Sequence, residues 1–427
     1  MAVDSQASLE KAVSVAAEPA PEPVAPTKPP VPDGGLQAWL QVVGAFFLWF
    51  NTWGLLGSYG SFQAFYEVEY LQGYTAFQVS TIGSLQSFLL MFLGVFAGPI
   101  YDSGYFRHLL LGGSVLLTVG TILQSFCVYF WQLLLVEGFL VGVGCGCLSV
   151  LSIAITPLWF TTKLPIANAI AACGSGAGGI VFPIIIRNLL PQIGFAWTVR
   201  VIALVILVTL GLANIVLRGP GTAKQRRALI DRASLTDWPY VVFVVACFTI
   251  LLGIYTPFFY VQSYAITSGV ASKDTAFYLV AAMNLSSIPG RVIPAFFAQR
   301  LGPMNMIIGT CLCLAGTGIG LIGARTVTTV FVVAVIYGFG TGTFFALQPT
   351  IYVRLTSDMK VMGTRFGMAF AVQSLGLLFG SPISGALQRQ NGYWSSWVWA
   401  GTSVAAGGAL IAISRTIKAE KKLLARL

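Results

Sequence analysis

Charge is what this sequence has least of. Asp, Glu, Lys and Arg make up 9% of its 427 residues, against roughly 25% in a soluble domain. A water-soluble globule is thereby excluded. One histidine, His108, and fourteen acids leave almost no material for hydrolytic or metal chemistry, and His108 reads as a surface residue. No G-x-x-x-x-G-K-[ST] phosphate loop occurs, which argues against a nucleotide-driven pump. The seven cysteines lie in apolar runs, and neither C-x-C pair has His or acidic neighbours at metal-ligand spacing. They read as small packing residues. No enzyme activity, cofactor or metal is expected.

What is present is apolar surface: 56% of the chain is hydrophobic and the mean hydropathy is +0.81. Twelve segments are long enough to cross a bilayer as helices, at about 37–62, 77–100, 108–129, 132–156, 165–188, 194–217, 239–265, 275–298, 304–324, 328–352, 361–386 and 394–414. The expectation is an all-α membrane protein of two six-helix bundles. Residues 1–35 form a Pro-rich tail with no apolar stretch of signal-peptide type, expected to be disordered. The first bundle then covers 36–217, a polar linker 218–238, the second bundle 239–414, and a basic tail 415–427. Glycines such as Gly138, Gly142, Gly144 and Gly146, and Gly174 to Gly179, read as faces for close helix contact.

The net charge of +10 invites a nucleic-acid reading, but its distribution favours a membrane one. With the N-terminus cytoplasmic, all but six of the 24 Lys and Arg residues fall in inside segments, as the positive-inside rule requires. The exceptions are Arg187, Arg200, Lys273, Arg291, Arg325 and Arg389. Both termini are then cytoplasmic in a multi-pass protein of the cell membrane, or of a vacuolar or other internal membrane.

Arg291 is the most informative residue. It lies inside the eighth segment, where an Arg costs about 2.5–3.5 kcal/mol on insertion scales. Pro289, Gly290 and Pro294 flank it, so a broken or bent helix is expected there. Asn284, Ser287 and Arg291 share one helix face, suited to an anionic or carbonyl-bearing solute held by charge-assisted hydrogen bonds. The alternative is that Arg291 snorkels to the cytoplasm. Tyr255 and Phe259 are candidates for an aromatic wall. Asn51, Gln348 and Gln373 are further polar residues within spans, equally suited to interhelical bonding. Glu137, read as the one acid well inside a span, is the candidate proton carrier or else a structural polar group.

The loop Gly98-Pro99-Ile100-Tyr101-Asp102-Ser103-Gly104-Tyr105-Phe106-Arg107 resembles the G-x-x-x-D-x-G-x-x-[RK] gating loop of the major facilitator superfamily. In it Gly98 and Gly104 allow a tight turn, and Asp102 and Arg107 can pair with charges or helix ends. At the matching place in the second half Gln299 stands for the acid, so a weaker latch is expected there. Asp33-Gly34-Gly35-Leu36-Gln37-Ala38-Trp39, Gly253 to Phe259, Asn284 to Arg291, Gly363 to Met368 and Gly380 to Gly385 together resemble the monocarboxylate transporter family, fungal branch. The resemblance implies the major facilitator fold, a small organic-acid substrate, frequent proton coupling, and Arg291 at the substrate carboxylate. It also exposes two departures. Ser287 stands where the animal members carry a carboxylate, and Gly57 where they carry a Lys.

The function expected is a secondary-active transporter of monocarboxylates or related small metabolites, with export of a fungal secondary metabolite as one version. Uptake of a vitamin such as riboflavin is another version, and a non-transporting membrane receptor or sensor on the same fold is the alternative from another class. The partners expected are an anionic small-molecule solute, the lipid bilayer and, where coupling occurs, protons; nucleic acid is not among them.

Overall fold

The computed structural model describes residues 33–219, 230–356 and 361–419, without the side chains of Ala295 and Gln299. The expectations for the tail before Asp33, for Lys224, Arg226 and Arg227, for Lys360, for the Gln299 latch and for the last eight residues lie outside that set. Among the described residues the chain is helical throughout, with no strand. Eleven helices among the described residues are long and apolar enough to cross a membrane.

One of the eleven, Leu164–Val216, runs for 53 residues. At 1.5 Å per residue it would measure about 80 Å, far more than the roughly 30 Å of hydrocarbon it has to cross. Gly194 resolves the excess: its φ of 74° and ψ of 174° break the helix, in a region open essentially to glycine alone. The fifth and sixth expected segments are therefore two helices joined at a sharp corner. We number the helices α1 Leu36–Tyr70, α2 Ala76–Asp102, α3 Phe106–Gln124, α4 Phe130–Leu158, α5 164–193 and α6 195–216. The second half comprises α7 Trp238–Thr267, α8 Lys273–Leu301, α9 Pro303–Gly320, α10 Val327–Leu355, α11 Met362–Asn391 and α12 Tyr393–Lys418. The end of the molecule where α1 begins and α12 finishes is called the near face, and the opposite end the far face.

The first helix of each half is interrupted in mid-span. α1 loses regular geometry at Thr52 and Ser58, and α7 turns between Leu251 and Thr256. Carbonyls freed by such interruptions need partners in a membrane, and side chains supply them. Trp399 Nε1 donates to Leu252 O at 3.0 Å and the Tyr337 hydroxyl to Ile254 O at 3.0 Å. Asn284 Nδ2 donates to Gly57 O at 3.0 Å.

Packing joins α1 to α5 and α6, and α8 to α10. On the near face the Asp33 carboxylate accepts the backbone N–H groups of Thr161 at 2.8 Å and Thr162 at 3.1 Å, together with the Thr162 hydroxyl. The Asp33 N–H donates to Trp159 O at 3.0 Å. These donors, the Thr162 hydroxyl first, hold the Asp33 carboxyl down at about 2. Beside the linker, Arg365 of α11 pairs with Asp231 at 3.0 Å and Asp237 at 2.8 Å. Its guanidinium lies 5.3 Å from the centre of the Tyr240 ring.

Candidate functional site

α8 does not break at Arg291. It runs from Lys273 to Leu301 with Pro289 and Pro294 inside it, which corrects the expected discontinuity. The cost of Pro294 is a carbonyl, Gly290 O, left without its helical N–H. Thr343 Oγ1 of α10 donates to that carbonyl at 2.9 Å. Gly290 serves packing: a Cβ there would stand 2.2 Å from Phe339 O of α10. Pro294 is absorbed because the neighbouring helix is close enough to repair the bond it removes.

Arg291 reaches from the second half to the first. Its Nη1 donates to Ala172 O of α5 at 2.5 Å and to the Ser175 hydroxyl. Its Nε is buried with no partner, and Tyr255 and Cys173 lie within coulombic range of the guanidinium. About two turns towards the far face, Asn284 bonds Gly57 O of α1 and, at 2.9 Å, Val280 O. Asn284 fits between two glycines, because a Cβ at Gly57 would lie 2.7 Å and one at Gly179 2.3 Å from its amide atoms. A lysine at position 57 would collide with that amide, so the departure from the animal monocarboxylate pattern has a steric meaning here. Ser287 is buried and its hydroxyl donates to Asn284 O at 2.7 Å.

Tyr255 and Phe345 of α10 have ring centroids 6.0 Å apart, and Trp53 of α1 adds a third ring 5.8 Å from Phe345. These rings bridge the two halves near mid-span. Nothing in the sequence singles out Trp53 among ten tryptophans, and its indole N–H is buried without a partner. Phe259 sits nearer the far face, 4.8 Å from the Tyr59 ring.

The remaining candidates lie within one half. Asn51 is engaged by Phe47 O at 2.7 Å and by Thr209 of α6 at 2.9 Å. Gln348 donates to Gln373 at 2.5 Å, and Gln373 to the Tyr352 hydroxyl at 2.5 Å. Glu137 is buried in the first half, on a π-helical turn, Leu134–Val141, where the Tyr66 hydroxyl donates to it at 2.7 Å. Gln124 of α3 donates to the same hydroxyl at 3.0 Å.

On the near face a cavity of about 430 Å³ opens between the halves. α2, α4, α10 and α11 line it, with Val95, Ile153, Phe366 and Phe370 making an apolar wall and Asp102 contributing a carboxylate. The 98–107 loop is therefore part of this opening. Gly98 lines it, Gly104 turns with a φ of 91°, and Arg107 leaves it to donate to Asn214 O at the end of α6, 2.6 Å away. His108 is exposed, beside Tyr105.

The far face is shut. A Cβ on Gly60 of α1 would stand 1.9 Å from Phe258 O of α7, which measures how closely the halves meet. Ser61 donates to Gln262 across this seam at 3.0 Å, the Tyr260 hydroxyl lies 3.4 Å from Ala76 O of α2, and Lys273 pairs with Glu69. Glu137 is not alone as an intramembrane acid. α1 continues through a π-helical turn, Tyr66–Tyr70, past its expected end, and carries Glu67 into the seam. Two acids in Tyr66-Glu67-Val68-Glu69-Tyr70 looked like the end of a span. The signal available was the position of Glu67 one turn after Gln63, whose amide donates to it at 2.6 Å.

Comparison with known proteins agrees with this architecture. The Major Facilitator Superfamily profile matches residues 38–380. The MFS-type transporter dbaD of Emericella nidulans is 37% identical over 385 residues, covering 90% of this chain and 87% of the relative. The aspyridones efflux protein apdF of the same organism is 34% identical over 371 residues, 87% of this chain and 76% of the relative. The MFS-type transporter eupM of a Phoma species is 46% identical over 217 residues, 50% of this chain and 77% of its own. A profile match over most of the chain, a helical architecture with a corner at Gly194, and relatives aligned over most of their length lead to one conclusion: this chain belongs to the Major Facilitator Superfamily.

Proposed function

We propose that the protein is a secondary-active transporter that exports a small organic metabolite by alternating access. The monocarboxylate-type site is centred on Arg291. The observation that carries this reading is the placement of Arg291. It is a charged donor at the contact between the two halves, with one buried N–H left over. A solute oxygen satisfies that donor, since an unmet buried hydrogen bond costs about 1–3 kcal/mol. Asn284 and Ser287 on the same helix, and Tyr255 beside the guanidinium, complete the proposed pocket, with Trp53 and Phe345 as its aromatic boundary. Phe259 belongs to the seal above it.

The positive-inside distribution supports a cytoplasmic near face. The apolar cavity of about 430 Å³ then serves as the entry for solute leaving the cell, within the size range of small-molecule sites. An efflux protein for aspyridones among the relatives supports a secondary metabolite as cargo. Asp102, held at the cavity wall, and Arg107, capping α6, are the proposed near-face latch. Glu137 is the proposed proton carrier in the first half, bonded by a hydroxyl and able to gain or lose a proton without breaking a contact between the halves.

The test is efflux of labelled carboxylate-bearing metabolites from cells or vesicles carrying the wild type, Arg291→Ala or Arg291→Lys. The expected result is loss of transport in Arg291→Ala and partial retention in Arg291→Lys. Equal flux in all three sinks the assignment of Arg291.

A further inference from the structure

The far-face seam holds a carboxyl group without a cation. Glu67 is partly buried between α1 and α7, and among the described residues it makes no ion pair. Its neighbour Glu69 takes Lys273. Gln63 Nε2 donates to one Glu67 oxygen at 2.6 Å, and Ser263 faces it from α7. The titratable groups within electrostatic range of it are tyrosines: Tyr260 on α7 and Tyr393 at the start of α12, with Tyr59 on its own helix.

Three polar atoms around it are buried without partners, Gln63 Oε1, Gln262 Nε2 and Ser263 Oγ. The first is the telling one. Gln63 already gives an N–H to Glu67, and the acceptor on the same amide is idle. An amide and a carboxylic acid form a closed pair of hydrogen bonds when the acid carries a proton: N–H to the acid carbonyl, and O–H to the amide carbonyl. An ionised carboxylate has no proton to give, leaves Gln63 Oε1 unmet, and places an uncompensated charge in a shut interface.

We propose that Glu67 is the proton-controlled latch of the far-face seam. It binds a proton from the far-side water as the seam shuts and returns it to that water as the seam opens. Protonation completes the Gln63 pair and removes the charge, while ionisation draws water into the seam and parts α1 from α7. The proton enters and leaves on one side, so this step sets the pH dependence of opening and is separate from carriage by Glu137. The proposal rests on the alternating-access reading above. Its experiment uses no solute, so its failure and the failure of that reading are distinguishable.

Spin labels on Gln72→Cys and Ser268→Cys, far-face sites on opposite halves, report the seam width in a background with the native cysteines replaced. Double electron–electron resonance in nanodiscs at mildly acidic and mildly alkaline pH is expected to show a shift to longer distances on the alkaline side. Glu67→Gln is expected to abolish the shift and hold the short distance at both pH values. Glu67→Asp, which retains a carboxyl, and Glu69→Gln, which removes the surface pair, are expected to retain it. A wild type with the same distances at both pH values overturns the proposal. So does a shift that persists in Glu67→Gln or vanishes in Glu69→Gln.

Discussion

Arg291 illustrates what a single residue does when a helix carries it to a contact between halves. Its hydrogen bonds to Ser175 and Ala172 O are charge-assisted, a class worth about 1.5–3 kcal/mol each. Arg291→Ala, which is expected to lose transport, is expected to weaken solute affinity tenfold or more, read from equilibrium binding of the labelled solute. Lysine retains the charge and loses the planar fork, so it lies between. Gly179 is the second residue-scale test. A Cβ there meets the Asn284 amide carbon at 2.3 Å, and overpacking of this kind costs about 1–3 kcal/mol. Gly179→Ala is expected to lower the thermal midpoint in detergent and to release the Asn284 bond to Gly57 O. At Asp33 the hydrogen bonds lower the folded-state value to about 2. The contribution of this clasp is therefore present above the ordinary carboxylate range and lost as pH falls towards 2. Asp33→Ala is expected to increase hydrogen exchange at Thr161 to Lys163 at neutral pH.

At the scale of helices, Gly194 decides whether a 53-residue run crosses once or twice. Its surroundings are open, so the constraint is backbone geometry and not space. Gly194→Ala is expected to cost about 1–3 kcal/mol, seen as a lower unfolding midpoint with the fold intact. The spans were legible because hydrocarbon demands long apolar runs and punctuates them with charge. The continuity of α8 was not legible, because Pro289 and Pro294 read locally as breaks and the partner for the carbonyl freed by Pro294 is Thr343 on another helix. The extent of α1 was hidden for a similar reason. Glu67 and Glu69 look like a water-facing end until α7 and Lys273 are placed beside them. Asn51, Gln348 and Gln373 were visible as polar residues in spans, but their partners, Thr209 and Tyr352 among them, lie far away in sequence.

For the whole molecule, the shut far face and the open near face describe one arrangement of two halves. The contact at Gly60 is where they can be forced apart. Its Cβ would meet a backbone oxygen, Phe258 O, at 1.9 Å, and backbone cannot swing aside as a side chain can. Gly60→Ala is expected to bias the ensemble towards a far-face opening by about 1–3 kcal/mol. The distance between labels on Gln72→Cys and Ser268→Cys is expected to lengthen accordingly. No pattern in the sequence foretold which face is closed, since that depends on pairings between halves some two hundred residues apart, such as Ser61 with Gln262.

The reach of Arg291 into α5 has a consequence for selectivity. In this arrangement the guanidinium already has an occupant, made of one serine hydroxyl and one peptide carbonyl. On the proposal that Arg291 anchors the solute, binding is an exchange reaction, in which solute oxygens are weighed against internal ligands held at high effective concentration. Strong acceptors win that exchange and weak ones do not, even when both fit the space. On that proposal the same exchange severs a link between α5 and α8, which would make occupancy of the site and freedom of the two halves to move a single thermodynamic event.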